Sequence, residues 1–308
     1  MFPAGPAVPP YPRIKQRRNT LAGNTKSWID IFIANYFLLR LCLGFTPSEQ
    51  VSTFMNHKIK HYGWIPDLPD HRDFTYAAPM AVAAALPPKV DLRPQCPPVY
   101  DQGQLGSCTA NSIGAAHEFE QMKQSLPNVF VPSRLFIYYN ERVIEGTVSS
   151  DSGAQIRDGI KSIAKQGVCP ETEWPYDITQ FAAKPSAQAF KDALQNQAIS
   201  YQRVVQSPGQ FKGCLASGYP FVFGFTVYES FESPAVAKTG NAPMPASGEK
   251  SLGGHAVMAV GYDDSVQQFI VRNSWGPAWG QQGYFTLPYA YLTDPNLASD
   301  FWTIRLVK

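Results

Sequence analysis

Charge is scarce in this chain. Asp, Glu, Lys and Arg make up 16% of its 308 residues, and 26 basic against 24 acidic side chains leave a net charge of +2. So near-neutral a balance offers no electrostatic footprint for a nucleic-acid partner. Histidine is scarce too, with five copies. His57 and His61 have the i,i+4 spacing of a helical metal pair, but only Lys58, Ile59 and Lys60 lie between them. Without an adjoining carboxylate or thiol this reads as a solvated basic face, so no metal or other cofactor is expected. The glycine-rich stretches match no phosphate loop. There is no internal repeat and no long low-complexity run.

Long apolar runs are lacking as well. The best is "WIDIFIANYFLLRLCLGF", residues 28–45, which follows a Pro-rich and then basic stretch containing Lys15, Arg17, Arg18 and Lys26. Asp30, Asn35 and Arg40 interrupt it. As a membrane span it is short, and a central Arg costs about 2.5–3.5 kcal/mol on insertion scales. Three readings stand: a secretory signal with no evident cleavage site, a start-site artefact with the true start at Met55, or an ordinary helix. The first implies a secreted or periplasmic protein and the others a cytoplasmic one. No stable membrane partner is expected unless 28–45 inserts.

What is present is 44% hydrophobic residues, enough for a folded core, with 27 Pro and 23 Gly marking many turns. Residues 1–59 form the basic and apolar N-terminal segment. Residues 60–88 are rich in Pro and Asp and read as an extended arm across a surface, anchored by Trp64, Ile65 and Phe74. A compact domain then spans 89–308. Helices are expected over 108–126, ended by Pro127, over 133–143, and over 153–166, stopped by Gly167 and Pro170. After about residue 200, "YPFVFGFTVY", "HAVMAVGY", "FIVRNSW" and "GYFTLPY" read as short strands. Helices first and strands later indicate α+β with two packed halves, about 100–200 and 201–308, and a cleft between them as the place for a site.

Cysteine decides the chemistry. Five copies is an odd count, so at least one thiol is free unless it pairs between chains. Cys108, in "DQGQLGSCTANS", stands where the first helix begins. Unpaired N–H groups and the helix dipole there favour thiolate over thiol. A lone cysteine is more often a core residue, so the reading turns on a base. If the hairpin joining "HAVMAVGY" to "FIVRNSW" is centred near Asp264, His255 lies directly opposite Asn273. The Asn amide then holds the imidazole in one tautomer, completing a nucleophile, base and orienter. Gln102 and the Cys108 N–H supply donors for the oxygen that becomes charged during attack on a carbonyl.

These segments, in this order, resemble the papain family of cysteine peptidases over about residues 89–308. The resemblance rests on Gln102 six residues before Cys108, "GHAV" and "VGY" within 254–262, and "NSWGPAWGQQGY" at 273–284. The "GWIPDLPDHRD" arm, "CPPVYDQGQLGSC" and "GVCPETEWPY" are similar to its bacterial, xylellain-like branch. The resemblance implies a papain-like two-lobed fold, a helical lobe and a β-barrel-like lobe with the active site between them. It also implies Trp275 shielding the His–Asn bond, Trp279 on the leaving-group side, and substrate pairing along Gly153, Ala154 and Gly254. The family's Cys three residues before the nucleophile is Leu105 here, its partner position is Asp151, and the aromatic after the nucleophile is Thr109. Both halves of that disulfide are therefore absent together. Cys96 and Cys169 form a candidate replacement bridge, the alternative being two free thiols, and Cys214 reads as a core residue.

The expectation is a monomeric thiol peptidase acting on peptide or protein substrates through an acyl-enzyme. The alternatives are an acyl or amide transferase using the same Cys–His chemistry, or a catalytically silent peptide-binding homologue. The arm at 60–88 is expected to cover the cleft, which makes the chain a self-restrained precursor.

Overall fold

The computed structural model describes Ile59 and residues 61–308. The expectations for residues 28–45 and for His57 fall outside them. Three helices make the first half: α2 (Cys108–Lys123), α3 (Arg134–Glu145) and α4 (Ile156–Lys165). Helix α2 is buried from Cys108 through Gln121, as its small residues Ala110, Gly114, Ala115 and Ala116 allow. It stops short of Pro127 because Ser125 takes a left-handed conformation, φ 54°. Ser133 caps α3 through a bond from the Phe136 N–H, and Gly146 closes it at φ 73°.

Strands make the second half, with short helices at their joints. In chain order they are β1 (Thr75–Tyr76), α1 (Met80–Ala84) and β2 (Lys89–Asp91) before the helical half. After it come α5 (Ala187–Ala193), β3 (Ala198–Val204), α6 (Pro208–Ala216), β4 (Phe221–Tyr228), α7 (Pro234–Thr239) and β5 (Ser251–Asp263). The chain ends with β6 (Gln268–Arg272), β7 (Tyr284–Pro288), α8 (Tyr289–Thr293) and β8 (Ala298–Val307). Among the described residues the strands form one sheet in the order β1-β3-β8-β4-β5-β6-β7, with β2 added to β5. The α+β expectation holds, but the sheet is not closed: β1 and β7 are its two ends. Phe211, Phe221, Phe223, Phe269 and Phe301 pack as a ring cluster on one side of it. Cys214, on α6, is a buried member of this core.

The hairpin differs from the expected register. Strands β5 and β6 pair Asp263 with Gln268 and Met258 with Arg272, with an irregularity between Ala259 and Gly261. Asn273 follows that last pair, so His255 lies diagonal to it rather than directly opposite. Residues offset by two still share a face and remain within reach of polar side chains.

The arm is anchored differently from the expectation. Trp64 is buried, but Ile65 is 37% exposed and Phe74 73% exposed. Charge holds the arm instead. Asp67 and Asp73 meet Arg157 of α4 at 3.2 and 2.8 Å, and Arg203 of β3 binds Asp67 at 2.9 Å and Asp300 of β8 at 3.0 Å. Tyr76 adds a buried ring, and Thr75 and Tyr76 pair with Arg203 and Val204. Hydrophobic patterning could not reveal an anchor made of carboxylates.

Candidate active site

Cys108 is the first residue of α2 and has no exposed surface. Ser107 gives that helix no side-chain cap; its hydroxyl meets Tyr176 Oη at 2.5 Å and accepts from Asn111 Nδ2 at 3.0 Å. The first turn also carries no acid, so its partial positive charge is left uncompensated. The backbone N–H groups of Ala256, the residue after His255, and of Gly63 in the arm favour the thiolate of Cys108.

His255 is fully buried on β5, paired across the ladder with Phe225. Its Nε2 lies 2.9 Å from Asn273 Oδ1. That Asn atom also accepts the Ser274 backbone N–H at 2.8 Å. A backbone N–H only donates, so the amide atom there is oxygen, and Nε2 must carry the ring hydrogen. The neutral ring therefore keeps a bare Nδ1, and among the described residues this buried atom has no hydrogen-bond partner. Trp275 stacks on the ring at 5.1 Å, and Trp279 meets Trp275 edge-on at 5.1 Å within an aromatic group that includes Phe231 and Phe285.

Burial dominates both titrating groups. It pushes the Cys108 thiol up to about 12, only partly opposed by the Ala256 and Gly63 N–H groups. It lowers His255 to about 4, with the Asn273 bond opposing. The thiolate expected at the helix mouth is thus suppressed while the site is closed off from water, because desolvation penalises either charge.

Gln102 is buried beside the sulfur-bearing loop. Its Nε2 donates to the Leu105 carbonyl at 2.9 Å, and its Oε1 accepts from the Ser274 hydroxyl at 2.6 Å. One amide hydrogen thus remains for another acceptor.

Cys96 and Cys169 do not form the candidate bridge; both are free thiols. Cys96 Sγ turns to the Leu92 carbonyl at 3.4 Å, within its own loop. The tie between the nucleophile loop and the neighbouring loop is polar instead. Asp151 accepts the Gly106 N–H at 3.0 Å and the Tyr138 hydroxyl, and Tyr138 in turn accepts the Gly153 N–H at 3.1 Å. Asp151→Ala leaves buried donors unpaired, each worth about 1–3 kcal/mol. Thermal unfolding is expected at a clearly lower temperature; an unchanged midpoint would show that this clamp carries no load. Thr109 likewise has a local reason, donating at 2.8 Å to the buried carboxyl of Glu141 on α3.

The residues expected to bind substrate meet the arm. Ala154 donates to the Gly63 carbonyl at 2.7 Å and accepts from Ile65 N–H at 3.0 Å, a parallel bridge centred on Trp64. The Gly254 carbonyl accepts the Trp64 N–H at 2.8 Å. Gly63 is pressed so closely on the nucleophile loop that a Cβ on it would lie 1.7 Å from the Gly106 carbonyl oxygen. Tyr62 covers His255 edge-on at 5.9 Å, and its hydroxyl bonds Glu232. The sequence reading missed Tyr62, Gly63, Tyr138 and Glu141; none carries a local signal, since each matters only through what it touches. Among the described residues no cluster of His, Cys, Asp or Glu could hold a metal ion.

Comparison with known proteins agrees with this geometry. Residues 86–293 match the family described as papain family cysteine protease. The crystal structure of xylellain, a cysteine protease from Xylella fastidiosa, is 50% identical and superposes with a TM-score of 0.76, covering 80% of this chain and 96% of that one. A peptidase C1-like protein of Acanthamoeba polyphaga mimivirus is 46% identical over 80% of this chain and 88% of its own length. A cathepsin B-like protein of Giardia intestinalis is 31% identical over 67% of this chain and 70% of its own. The chain belongs to the papain family of cysteine proteases, and it is a cysteine peptidase acting on peptide or protein substrates.

Proposed function

We propose that this papain-family peptidase hydrolyses peptide bonds through a thioester formed on Cys108, with His255 as proton carrier, and that residues 60–88 hold it in a latent form. One observation carries the reading. Asn273 occupies Nε2 of the His255 ring and leaves Nδ1, buried and without a partner among the described residues, as its only basic atom, while the N–H of the next residue, Ala256, favours the thiolate of Cys108.

His255 Nδ1 takes the thiol proton as Cys108 Sγ bonds to the substrate carbonyl carbon. The carbonyl oxygen becomes an oxyanion, received by the Cys108 N–H and the remaining Gln102 amide hydrogen. When the C–N bond breaks, the proton on Nδ1 passes to the leaving amine and an acyl-enzyme remains. Water then attacks the thioester, giving its proton to Nδ1, and the acid product leaves as sulfur recovers the proton. Asn273 fixes the ring for both transfers, and Trp275 keeps water from the Asn273 bond.

Gln102→Ala is expected to lower kcat by about 10²–10³-fold with KM little changed, because an oxyanion donor acts mainly in the transition state. Steady-state kinetics on a fluorogenic peptide checks this. An unchanged kcat in the folded variant would remove Gln102 from the mechanism.

Latency follows from the arm's place. Gly63 presses on the nucleophile loop, Gly63 and Ile65 take the backbone groups of Ala154 and Trp64 takes that of Gly254, groups expected to pair with substrate, and Tyr62 covers the base. A substrate needs those same positions.

A further inference from the structure

The helix that carries the nucleophile starts without the usual device for fixing a helix start. Ser107 gives α2 no side-chain cap. An uncapped start leaves its first N–H groups free to fray. Two of those groups bear on the chemistry. The Cys108 N–H receives the oxyanion in the reaction proposed above, and the Thr109 N–H favours the Cys108 thiolate. The Gly63 N–H acts on the thiolate in the same way but leaves with the arm, so the Thr109 N–H counts for more in the open enzyme.

Thr109 is held from the side. Its hydroxyl donates at 2.8 Å to Oε2 of Glu141, on α3, and both residues are wholly buried. The carboxyl is pressed against α4: a Cβ on Gly159 would lie 2.2 Å from Oε1. Among the described residues Oε1 itself has no hydrogen-bond partner. A buried polar atom left in that state costs stability, and an apolar side chain of similar size would avoid the cost. Stability therefore does not account for a carboxyl here, whereas its grip on Thr109 does. Burial, with the Glu145 and Asp158 carboxyls, holds Glu141 well above the usual carboxylate range against the Thr109 bond and Arg142. It is thus the neutral acid at neutral pH, the form that serves best, since a charged Glu141 would oppose the Cys108 thiolate.

We propose that Glu141 is a positioning residue for the nucleophile: by holding the Thr109 hydroxyl from α3 it fixes the first turn of α2, and with it the N–H groups that serve the oxyanion and the sulfur. The proposal deepens the peptidase reading and rests on it.

The parent for the test is the full chain carrying Gly63→Ala, whose methyl cannot fit beside the Gly106 carbonyl, so that the arm must lift. Adding Glu141→Leu and Thr109→Val together replaces both partners by apolar groups of similar shape, and the thermal midpoint is expected to stay near the parent's. On a fluorogenic peptide kcat is expected to fall about tenfold with KM within about twofold, because the donors are loosened rather than deleted. Glu141→Gln, which still offers an oxygen to Thr109, is expected to retain kcat within about threefold. Thr109→Ser, which keeps the hydroxyl, is expected to retain what Thr109→Val alone loses, and this keeps the test open if the double variant folds poorly. A folded double variant as active as the parent overturns the proposal. So do losses in Glu141→Gln and Thr109→Ser as large as in Thr109→Val. In both cases the parent still cuts peptide and the peptidase reading stands; a folded parent that cuts none overturns both.

Discussion

Gly63→Ala is expected to make Cys108 react with iodoacetamide at pH 7 on the order of 100-fold faster than in the unaltered chain. The added methyl cannot fit, since it would lie 1.7 Å from the Gly106 carbonyl oxygen, and the arm must lift to accommodate it. Lifting readmits water to a thiol that burial holds at about 12. The thiolate fraction at neutral pH rises tenfold for each unit by which that value falls toward the usual cysteine range, about 8.5. In the unaltered chain the rate should therefore climb with pH into the alkaline range; in the variant the same climb should occur at lower pH. Peptide hydrolysis should rise in parallel. Asp67→Ala approaches the same end from the other side of the arm. It leaves Arg157 and Arg203 without a carboxylate that is itself wholly buried, and breaking such a pair costs several kcal/mol. If both variants fold and neither changes the alkylation rate or the hydrolysis rate, the arm is not a restraint.

The second large effect is at the reacting pair. Cys108→Ala and His255→Ala are each expected to lower kcat/KM by about 10⁴-fold or more. The double variant should be little worse than either single one, because the two groups act as a unit. The comparison belongs in the Gly63→Ala background, where the basal rate is high enough to resolve such a loss. Residual losses that simply multiply would mean that cysteine and histidine contribute separately, and the proton transfer between them would have to be abandoned.

Much of this was legible in the sequence because the signals are local. A cysteine before a run of small residues marks the mouth of a close-packed helix, and α2 begins at that residue. His255 and Asn273 share a hairpin, so their meeting needed only a turn, though that turn is centred between Ser265 and Val266 rather than near Asp264, and the one-residue irregularity between Ala259 and Gly261 recovers only part of the offset, which makes the contact diagonal. What escaped depends on partners distant in sequence. The arm was expected to rest on Trp64, Ile65 and Phe74; Trp64 is buried, but in place of the other two Asp67 and Asp73 hold it through arginines on α4 and β3. Asp151 could be named as an empty disulfide position, but its role became readable only when Gly106 and Tyr138 were found to donate to it. What opposes a thiolate at Cys108 is likewise distant in sequence. A helix end favours thiolate, but burial under residues far upstream outweighs it.

The central claim is that the sulfur of Cys108 and the ring of His255 form one nucleophilic unit, and active-site labelling by a thiol-directed epoxide tests it most directly. In Gly63→Ala protein, peptide mapping is predicted to place the label on Cys108 and to leave Cys96, Cys169 and Cys214 unmodified, with the reaction lost on adding His255→Ala. Label on another cysteine, or labelling of Cys108 that proceeds equally well without His255, would contradict the account.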